Sequence, residues 1–131
     1  MLAPPSKSVS KFATSKQSGD AAEARALEHL LAAGLQLLAR NYRTPGRGGG
    51  EIDLIMREPD GTTVFVEVRA RRADAHGGGA ASVGYVKQRR IVFAARHYLM
   101  RLPTQPPCRF DLVAFGPNGI EWLRAAFDAG W

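Results

Sequence analysis

Two acidic residues, Asp53 and Glu67, lie in the middle of two neighbouring apolar runs, 51–55 and 64–69. Between the runs, Pro59-Asp60-Gly61 is a strong turn signal. If these three residues form a hairpin loop centred on Asp60, the two acids face each other directly across the strands. Like charges in that position repel each other. A shared cation would relieve the repulsion, so the pair predicts a metal-dependent enzyme.

Strand alternation places further residues relative to this pair. In the second strand it predicts two faces: Glu51, Asp53 and Ile55 against Ile52, Leu54 and Met56. In the third strand, Arg69 shares the face of Glu67. Arg69 is therefore expected beside the two acids. Glu51 is either an additional residue of the site or a solvated position at the strand edge.

Glu23 is the third acidic candidate. A helix predicted from near Ser18 to Gly34 has a leucine stripe, and Glu23 falls on that stripe by helical phase. If the helix packs on the face of the sheet that carries Asp53 and Glu67, the three carboxylates converge. The alternative is an acid that suits the helix dipole and stays hydrated at the helix start.

Such a set of residues has a defined chemistry. Hard oxygen ligands select Mg²⁺ or Mn²⁺ over zinc. The metal activates water and stabilises the charge that grows on a phosphoryl oxygen, and a nearby Arg or Lys adds fixed positive charge. Three acids and one cation therefore predict a phosphodiesterase.

The basic residues are concentrated in one segment. The chain has a formal net charge of +6 and a pI of about 10.1. Residues 69–101 hold eight basic residues against a single acid, which leaves a net charge of +7. This concentration favours nucleic acid as a partner; the alternatives are a solvated helix face or a docking surface for an acidic protein. The nucleic-acid-binding candidates are Arg71, Arg72, Lys87, Arg89 and Arg90.

Length and composition limit the remaining possibilities. The 131 residues are expected to form a disordered basic arm, 1–17, and one domain, 18–131. No apolar run approaches the ~18 residues that span a membrane, and the N-terminus lacks the apolar region of a secretory signal. The single cysteine, Cys108, excludes an intrachain disulfide and a cysteine-rich zinc site. We expect a cytoplasmic protein without a membrane partner.

The predicted elements form an α/β fold in which a mixed sheet is flanked by helices. After the first helix, strands are expected at 35–42, 50–57 and 62–70, followed by a helix at 82–100. Further strands are expected at 109–115 and 120–123, and a final helical turn at Phe127. Glycine-rich, flexible loops are predicted at 44–50 and 73–81. Asp111 is expected to face solvent or to pair with an arginine.

Four stretches of the sequence resemble the YraN-like family of small bacterial proteins. They are Gly50-Glu51-Ile52-Asp53-Leu54-Ile55, Val64-Phe65-Val66-Glu67-Val68-Arg69, Ser82-Val83 with Lys87, and Arg109-Phe110-Asp111. That family is similar to the restriction-endonuclease-like, or PD-(D/E)xK, superfamily, which includes archaeal Holliday-junction resolvases. The resemblance implies an αβββαβ core. It also implies a metal site built from Glu23, Asp53 and Glu67.

One position departs from the superfamily pattern. Its motif ends in Glu-x-Lys, and here the sequence is Glu67-Val68-Arg69. Arginine stabilises anionic charge, but its very high pKa rules out a role as base. Lys87 is the only lysine outside the basic arm. We expect it to supply the missing ammonium group; the alternative is a surface lysine at a helix start.

The leading hypothesis is a Mg²⁺- or Mn²⁺-dependent endonuclease that hydrolyses DNA phosphodiester bonds, with branched DNA of repair or recombination as a candidate substrate. Its catalytic candidates are Asp53, Glu67, Arg69 and Lys87. The alternative is a non-catalytic module on a nuclease scaffold that binds nucleic acid or docks to a protein. Pairing of edge strands would give a homodimer with two sites, and the sequence does not decide between monomer and dimer.

Overall fold

The computed structural model describes residues 15–70 and 83–131. In chain order the elements are α1 (Ser15–Ala32), β1 (Gln36–Arg43), β2 (Glu51–Arg57), β3 (Thr63–Arg69), α2 (Tyr85–Leu99), β4 (Cys108–Gly116) and β5 (Gly119–Phe127). The predicted α/β class and the order of elements are confirmed.

All five strands belong to one mixed sheet, in the order β1-β2-β3-β4-β5. Strands β1, β2 and β3 are antiparallel neighbours, whereas β4 runs parallel to β3 and β5 runs antiparallel to β4. A parallel pair needs a crossover connection, and α2 lies in the crossover between β3 and β4. The arrangement agrees with the expected αβββαβ core, extended by β5.

Each helix contributes to a core on one face of the sheet. Ala26 and Leu30 of α1 belong to the core that contains Leu54 and Val66. On the other face, residues of α2 pack with three aromatic rings that stack across neighbouring strands. The ring centroids of Phe65 and Phe110 are 5.3 Å apart, and those of Phe110 and Phe127 are 4.9 Å apart. Large planar side chains bury much apolar area in such stacks, which anchors β3, β4 and β5 together.

Several boundaries and faces differ from the sequence prediction. Helix α1 begins at Ser15 rather than near Ser18, and Phe127 ends β5 instead of forming a helical turn. Ile52 and Ile55, three residues apart, belong to the same core cluster, so strict alternation along β2 is wrong at Ile52. Next to this position on β1, Asn41 has a φ of 50°, a left-handed conformation that breaks the regular pleat.

Asp111 is fully buried and pairs with an arginine, so only the second part of its expectation is confirmed. Its Oδ1 accepts hydrogen bonds from Arg109 Nε at 3.0 Å and from the backbone N–H of Ala125 at 2.9 Å. Its Oδ2 accepts from Trp122 Nε1 at 2.9 Å and from Arg109 Nη2 at 3.1 Å. Arg109 also bonds Glu58 at 2.5 Å. A buried carboxylate with this many donors joins β4, β5 and the β2–β3 turn.

The glycine-rich loop after β1 is closed at its base. The N–H of Thr44 donates to the carbonyl of Gly50 at 3.0 Å, and the N–H of Gly50 donates to Thr44 Oγ1 at 2.8 Å. Both residues are buried. This pair fixes where β2 begins.

Some predictions fall outside the described residues: the basic arm up to residue 14, Arg71 and Arg72, the loop at 73–81, and Ser82. Within residues 15–70 and 83–131, neither helix combines the length and the apolar character that crossing a bilayer requires.

Candidate active site

Asp53 and Glu67 meet as the sequence predicted. The β2–β3 ladder pairs Leu54 with Val66 and Ile55 with Phe65. Continued by one residue, this register places Asp53 opposite Glu67. The two carboxyl groups are close enough that each one changes the pKa of the other. Asp53 Oδ2 also accepts a bond from the backbone N–H of Val68 at 2.7 Å. The hairpin therefore holds the two acids in direct contact.

Burial gives this pair unusual proton affinities. The Glu67 side chain is only 9% exposed. Its burial, together with the charge of Asp53, raises the pKa of Glu67 to about 8, against the opposing effect of Lys87. Burial also raises the pKa of Asp53, although the Val68 N–H bond opposes the shift. The raised pKa of Glu67 means that the pair retains a proton at neutral pH.

Lys87 reaches the pair from the first turn of α2. Its Nζ lies 3.5 Å from Glu67 Oε2, and its side chain is 40% exposed. Glu67 shares the α2 side of the sheet because Phe65, two residues earlier, packs in the α2 core. The structure thus brings together Asp53, Glu67 and Lys87. Arg69 ends β3, half-buried, two residues beyond Glu67, and its catalytic role stays a prediction.

Gly50 sets the distance between the strand that carries Asp53 and the helix that carries Lys87. A Cβ atom at position 50 would collide with the carbonyl oxygen of Arg90 and would lie 3.1 Å from the Ala94 nitrogen. Only glycine allows the start of β2 to pack directly on the backbone of α2. The glycine before the Glu-x-Asp stretch therefore positions the site.

Asp53 also lines an acidic cleft of about 530 Å³. It is lined by Gly19, Asp20, Glu23, Asn41, Arg43, Glu51, Asp53 and Val68. Four of these residues are acidic and one is basic. Asp53 thus belongs both to the cleft and to the pair with Glu67.

Glu23 lines the cleft, but its helix packs on the face of the sheet opposite to the one that Glu67 occupies. Helix α1 packs on the Leu54 and Val66 face, opposite to the α2 side that Glu67 faces, because its small and leucine side chains fill that core. Glu23 is 6% exposed, so the interpretation as a hydrated helix-start acid is wrong. Its Oε1 accepts hydrogen bonds from Arg40 at 3.1 Å and Asn41 at 3.3 Å.

The predicted set of three carboxylate ligands is therefore only partly assembled. Asp53 and Glu67 are in contact, and Glu23 lines the same cleft as Asp53. Within the part of the chain that the structure describes, no three His, Cys, Asp or Glu side chains are grouped closely enough to hold a metal ion.

Sequence reasoning missed three polar residues of the cleft, Asp20, Asn41 and Arg43. Asp20 precedes Glu23 by three residues on α1, a spacing that helical phase places on the same side of the helix. Asn41 gave no sequence signal beyond the tolerance of asparagine for a positive φ. Glu51 lines the cleft and lies 3.8 Å from Arg43, consistent with an additional residue of the site.

The nucleic-acid-binding candidates on α2 are at the surface. Arg89 and Arg90 are both exposed. Helix α2 also carries Lys87 and Arg96 and has no acidic residue. The helix therefore presents the positive charge that the sequence predicted for the 69–101 segment, whereas Arg71 and Arg72 stay predictions.

Comparison with known proteins identifies the family. Residues 22–115 match the profile of the Uncharacterised protein family UPF0102. A UPF0102 protein of Albidiferax ferrireducens is 72% identical over 116 residues, which cover 88% of this chain and 91% of that protein. One from Paracidovorax citrulli is 68% identical over 117 residues, covering 89% and 87% of the two chains. The relative from Methylibium petroleiphilum is 61% identical over 119 residues, covering 88% and 98%. This chain belongs to the UPF0102 family.

Proposed function

We propose that this protein is a metal-dependent endonuclease that hydrolyses DNA phosphodiester bonds, with branched DNA as the candidate substrate. The observation that carries the proposal is that the β2–β3 register places Asp53 opposite Glu67, with the Lys87 ammonium 3.5 Å from Glu67. Burying two neighbouring acids costs folding free energy. Perturbed acids of this kind occur most often at functional sites.

The carboxyl pair fits Mg²⁺ or Mn²⁺ by its donor chemistry. Asp53 and Glu67 offer hard oxygen atoms that share one proton, and a divalent cation can take the place of that proton. Glu23 and Glu51 line the adjacent cleft and are the additional ligand candidates. When bound, such a cation supplies Lewis-acid stabilisation of phosphoryl charge and lowers the pKa of water.

The chain's own residues would hold and orient the scissile phosphate. The Lys87 ammonium is 40% exposed, so it can contact solvent and a phosphate while it remains near Glu67. Its helix begins after Gly84, which has no side chain to cap the first turn, and that turn carries no acid. Backbone N–H groups at such an end attract anions. Arg69 is proposed to add a second fixed positive charge.

Cleavage assays test the proposal. The panel comprises duplex, flap, single-stranded and four-way-junction DNA, each with Mg²⁺ and with Mn²⁺. We expect metal-dependent cleavage of at least one substrate, and its loss in Asp53→Ala and Glu67→Ala. Glu121→Ala is a matched control, because Glu121 is an exposed acid on β5. Undiminished cleavage in both site variants would overturn the assignment.

A second candidate function is a non-catalytic module that binds nucleic acid. It is favoured by the engagement of Glu23 with Arg40 and Asn41, and by arginine at position 69 where the superfamily motif has lysine. This candidate predicts salt-sensitive DNA binding that survives loss of both acids. Calorimetric titration with Mn²⁺ separates the two: heat of binding that vanishes in Glu67→Ala supports the nuclease, and no binding to the wild type supports the module.

A further inference from the structure

Helix α2 carries a stripe of rings and guanidinium groups on its outer face. Tyr85, Arg89, Phe93 and Arg96 follow one another at spacings of three or four residues, which places them on one side of the helix. Tyr85 is 71% exposed and Phe93 is 53% exposed. Exposed aromatic side chains that alternate with arginines have no role in the core, which lies beneath the opposite side of the helix. We call these four residues the α2 stripe.

The stripe borders a groove of about 500 Å³. The opposite side of the groove includes Ala129 and Asp128, which is the only acid among the described residues that line it. The guanidinium carbon of Arg89 lies 5.8 Å from the Tyr85 ring centroid, so ring and cation form one continuous surface. The groove therefore combines apolar ring surface with a net positive charge.

We infer that the α2 stripe binds single-stranded nucleic acid, with bases stacking on Tyr85 and Phe93 and phosphates paired with Arg89 and Arg96. A single strand alternates planar bases with negative charges, which matches the alternation of rings and guanidinium groups. The rings are separated by eight helical positions, about 12 Å along the axis, a span that a few nucleotides cover. A duplex hides its base faces and offers only phosphates to the same surface.

The position of the stripe connects it to the candidate active site. Tyr85 lies in the same first turn of α2 as Lys87, whose Nζ is near Glu67, but two positions apart they point to different sides of the helix. A strand that follows the stripe towards the N-terminus of α2 would therefore reach the end of the helix that carries this lysine and would have to pass around that end to meet it. This connection rests on the proposed nuclease function. Under that function, the substrate would be DNA with a single-stranded segment, such as a flap or an open branch.

Binding measurements in the presence of a chelator test the inference without any cleavage. Fluorescence anisotropy would compare a labelled oligothymidylate of about 12 nucleotides with a duplex of equal length. We expect Tyr85→Ala and Phe93→Ala each to weaken single-strand binding about tenfold, with duplex binding changed by less than about twofold. Arg89→Gln and Arg96→Gln should each reduce the salt dependence by about one phosphate contact.

The matched control is Leu31→Ala, since Leu31 is an exposed apolar residue, 47% exposed, on α1. It should bind both nucleic acids as the wild type does. Wild-type affinity for oligothymidylate in both ring variants would overturn the inference. So would ring-dependent binding of a polyglutamate peptide with no binding of oligothymidylate, which would identify an acidic protein partner. If only the nuclease proposal is wrong, the cleavage assay will show no metal-dependent cleavage, while single-strand binding by the α2 stripe will remain.

Discussion

The ammonium nitrogen of Lys87 lies 3.5 Å from Oε2 of Glu67, so α2 supplies a cation to the carboxyl pair near the start of β2 and the end of β3. In the Glu-x-Lys pattern the cation stands on the same strand as the glutamate. Here that strand position is Arg69, and a guanidinium is not interchangeable with an ammonium. A lysine donated by the helix would restore the missing ammonium chemistry.

Replacing Lys87 should slow cleavage and move its pH dependence. We expect Lys87→Met to reduce kcat about 10²- to 10³-fold, as is typical when a transition-state cation is lost. Because the Lys87 charge lowers the pKa of Glu67, its removal should shift the rising limb of the pH–rate profile to higher pH. Lys87→Arg should retain part of the rate, and Arg124→Met, an exposed cation on β5, should retain all of it. An unchanged rate and pH profile in Lys87→Met would exclude a role for this ammonium.

Stability without metal should decline as the pH rises. The pKa of Glu67 is about 8 in the folded protein against an ordinary value of 4.5, so between these values the folded state binds more protons than the unfolded state. The free energy of unfolding therefore decreases across that window. Glu67→Gln should remove this decrease and should be more stable than the wild type above pH 8, by about 2 to 4 kcal/mol.

Urea denaturation at several pH values, with a chelator present, measures this effect. Asp60→Asn is a suitable control because backbone and side-chain hydrogen bonds from Thr62 lower the pKa of Asp60 instead of raising it. It should leave the slope between pH 4.5 and 8 unchanged. A wild-type stability that rises with pH across this window would contradict the buried shared proton.

Metal affinity should increase with pH for the same reason. Binding of Mn²⁺ displaces the proton held by Asp53 and Glu67, so the Kd should fall about tenfold per pH unit and level off above about 8. Calorimetry in buffers with different ionisation enthalpies should show about one proton released. Glu23→Gln should weaken binding less than Glu67→Gln, since Arg40 and Asn41 already engage Glu23. A pH-independent Kd would show that the ion binds elsewhere.

Gly50→Ala should destabilise the fold by about 1 to 3 kcal/mol, because the added methyl group collides with the α2 backbone at Arg90. Thermal unfolding followed by circular dichroism would measure the loss. Gly19→Ala is the matched substitution on α1, where the new methyl group would meet no described residue within 4 Å apart from its chain neighbours and the backbone of its own helix. It should stabilise the helix by about 0.5 to 1 kcal/mol. Equal stability of the two variants would mean that β2 and α2 are less tightly packed than the structure indicates.

The sequence was sufficient for the hairpin because its information is local. A turn signal of three residues fixes the register of two adjacent strands, and the register brings Asp53 to Glu67. Lys87 was found by elimination as the only lysine outside the basic arm, and the structure places it near Glu67. In both cases one sequence feature, the turn signal or the lone lysine, was enough to identify the residue that meets Glu67.

Relations between distant elements were harder to predict. Helical phase identifies which side of α1 is buried, but it does not tell which face of the sheet receives that side, so the place of Glu23 relative to Glu67 stayed conditional. The bend near Asn41 and Ile52 depends on a backbone conformation that residue type permits without requiring. The close approach at Gly50 involves the backbone of a helix more than 30 residues later in the chain, and no local pattern reports it.

The hydrogen bonds of Asp111 have an evolutionary consequence. Both of its oxygens accept bonds from donors on Arg109 and on β5, including Trp122, so a change at any one of these positions leaves buried partners unsatisfied. We expect the three positions to vary together among relatives, or to stay fixed together. The Arg-Phe-Asp stretch would then appear as invariant as the acids at positions 53 and 67, although its contacts are all internal. Residues conserved for folding and residues conserved for a reaction would then show the same degree of conservation in the family.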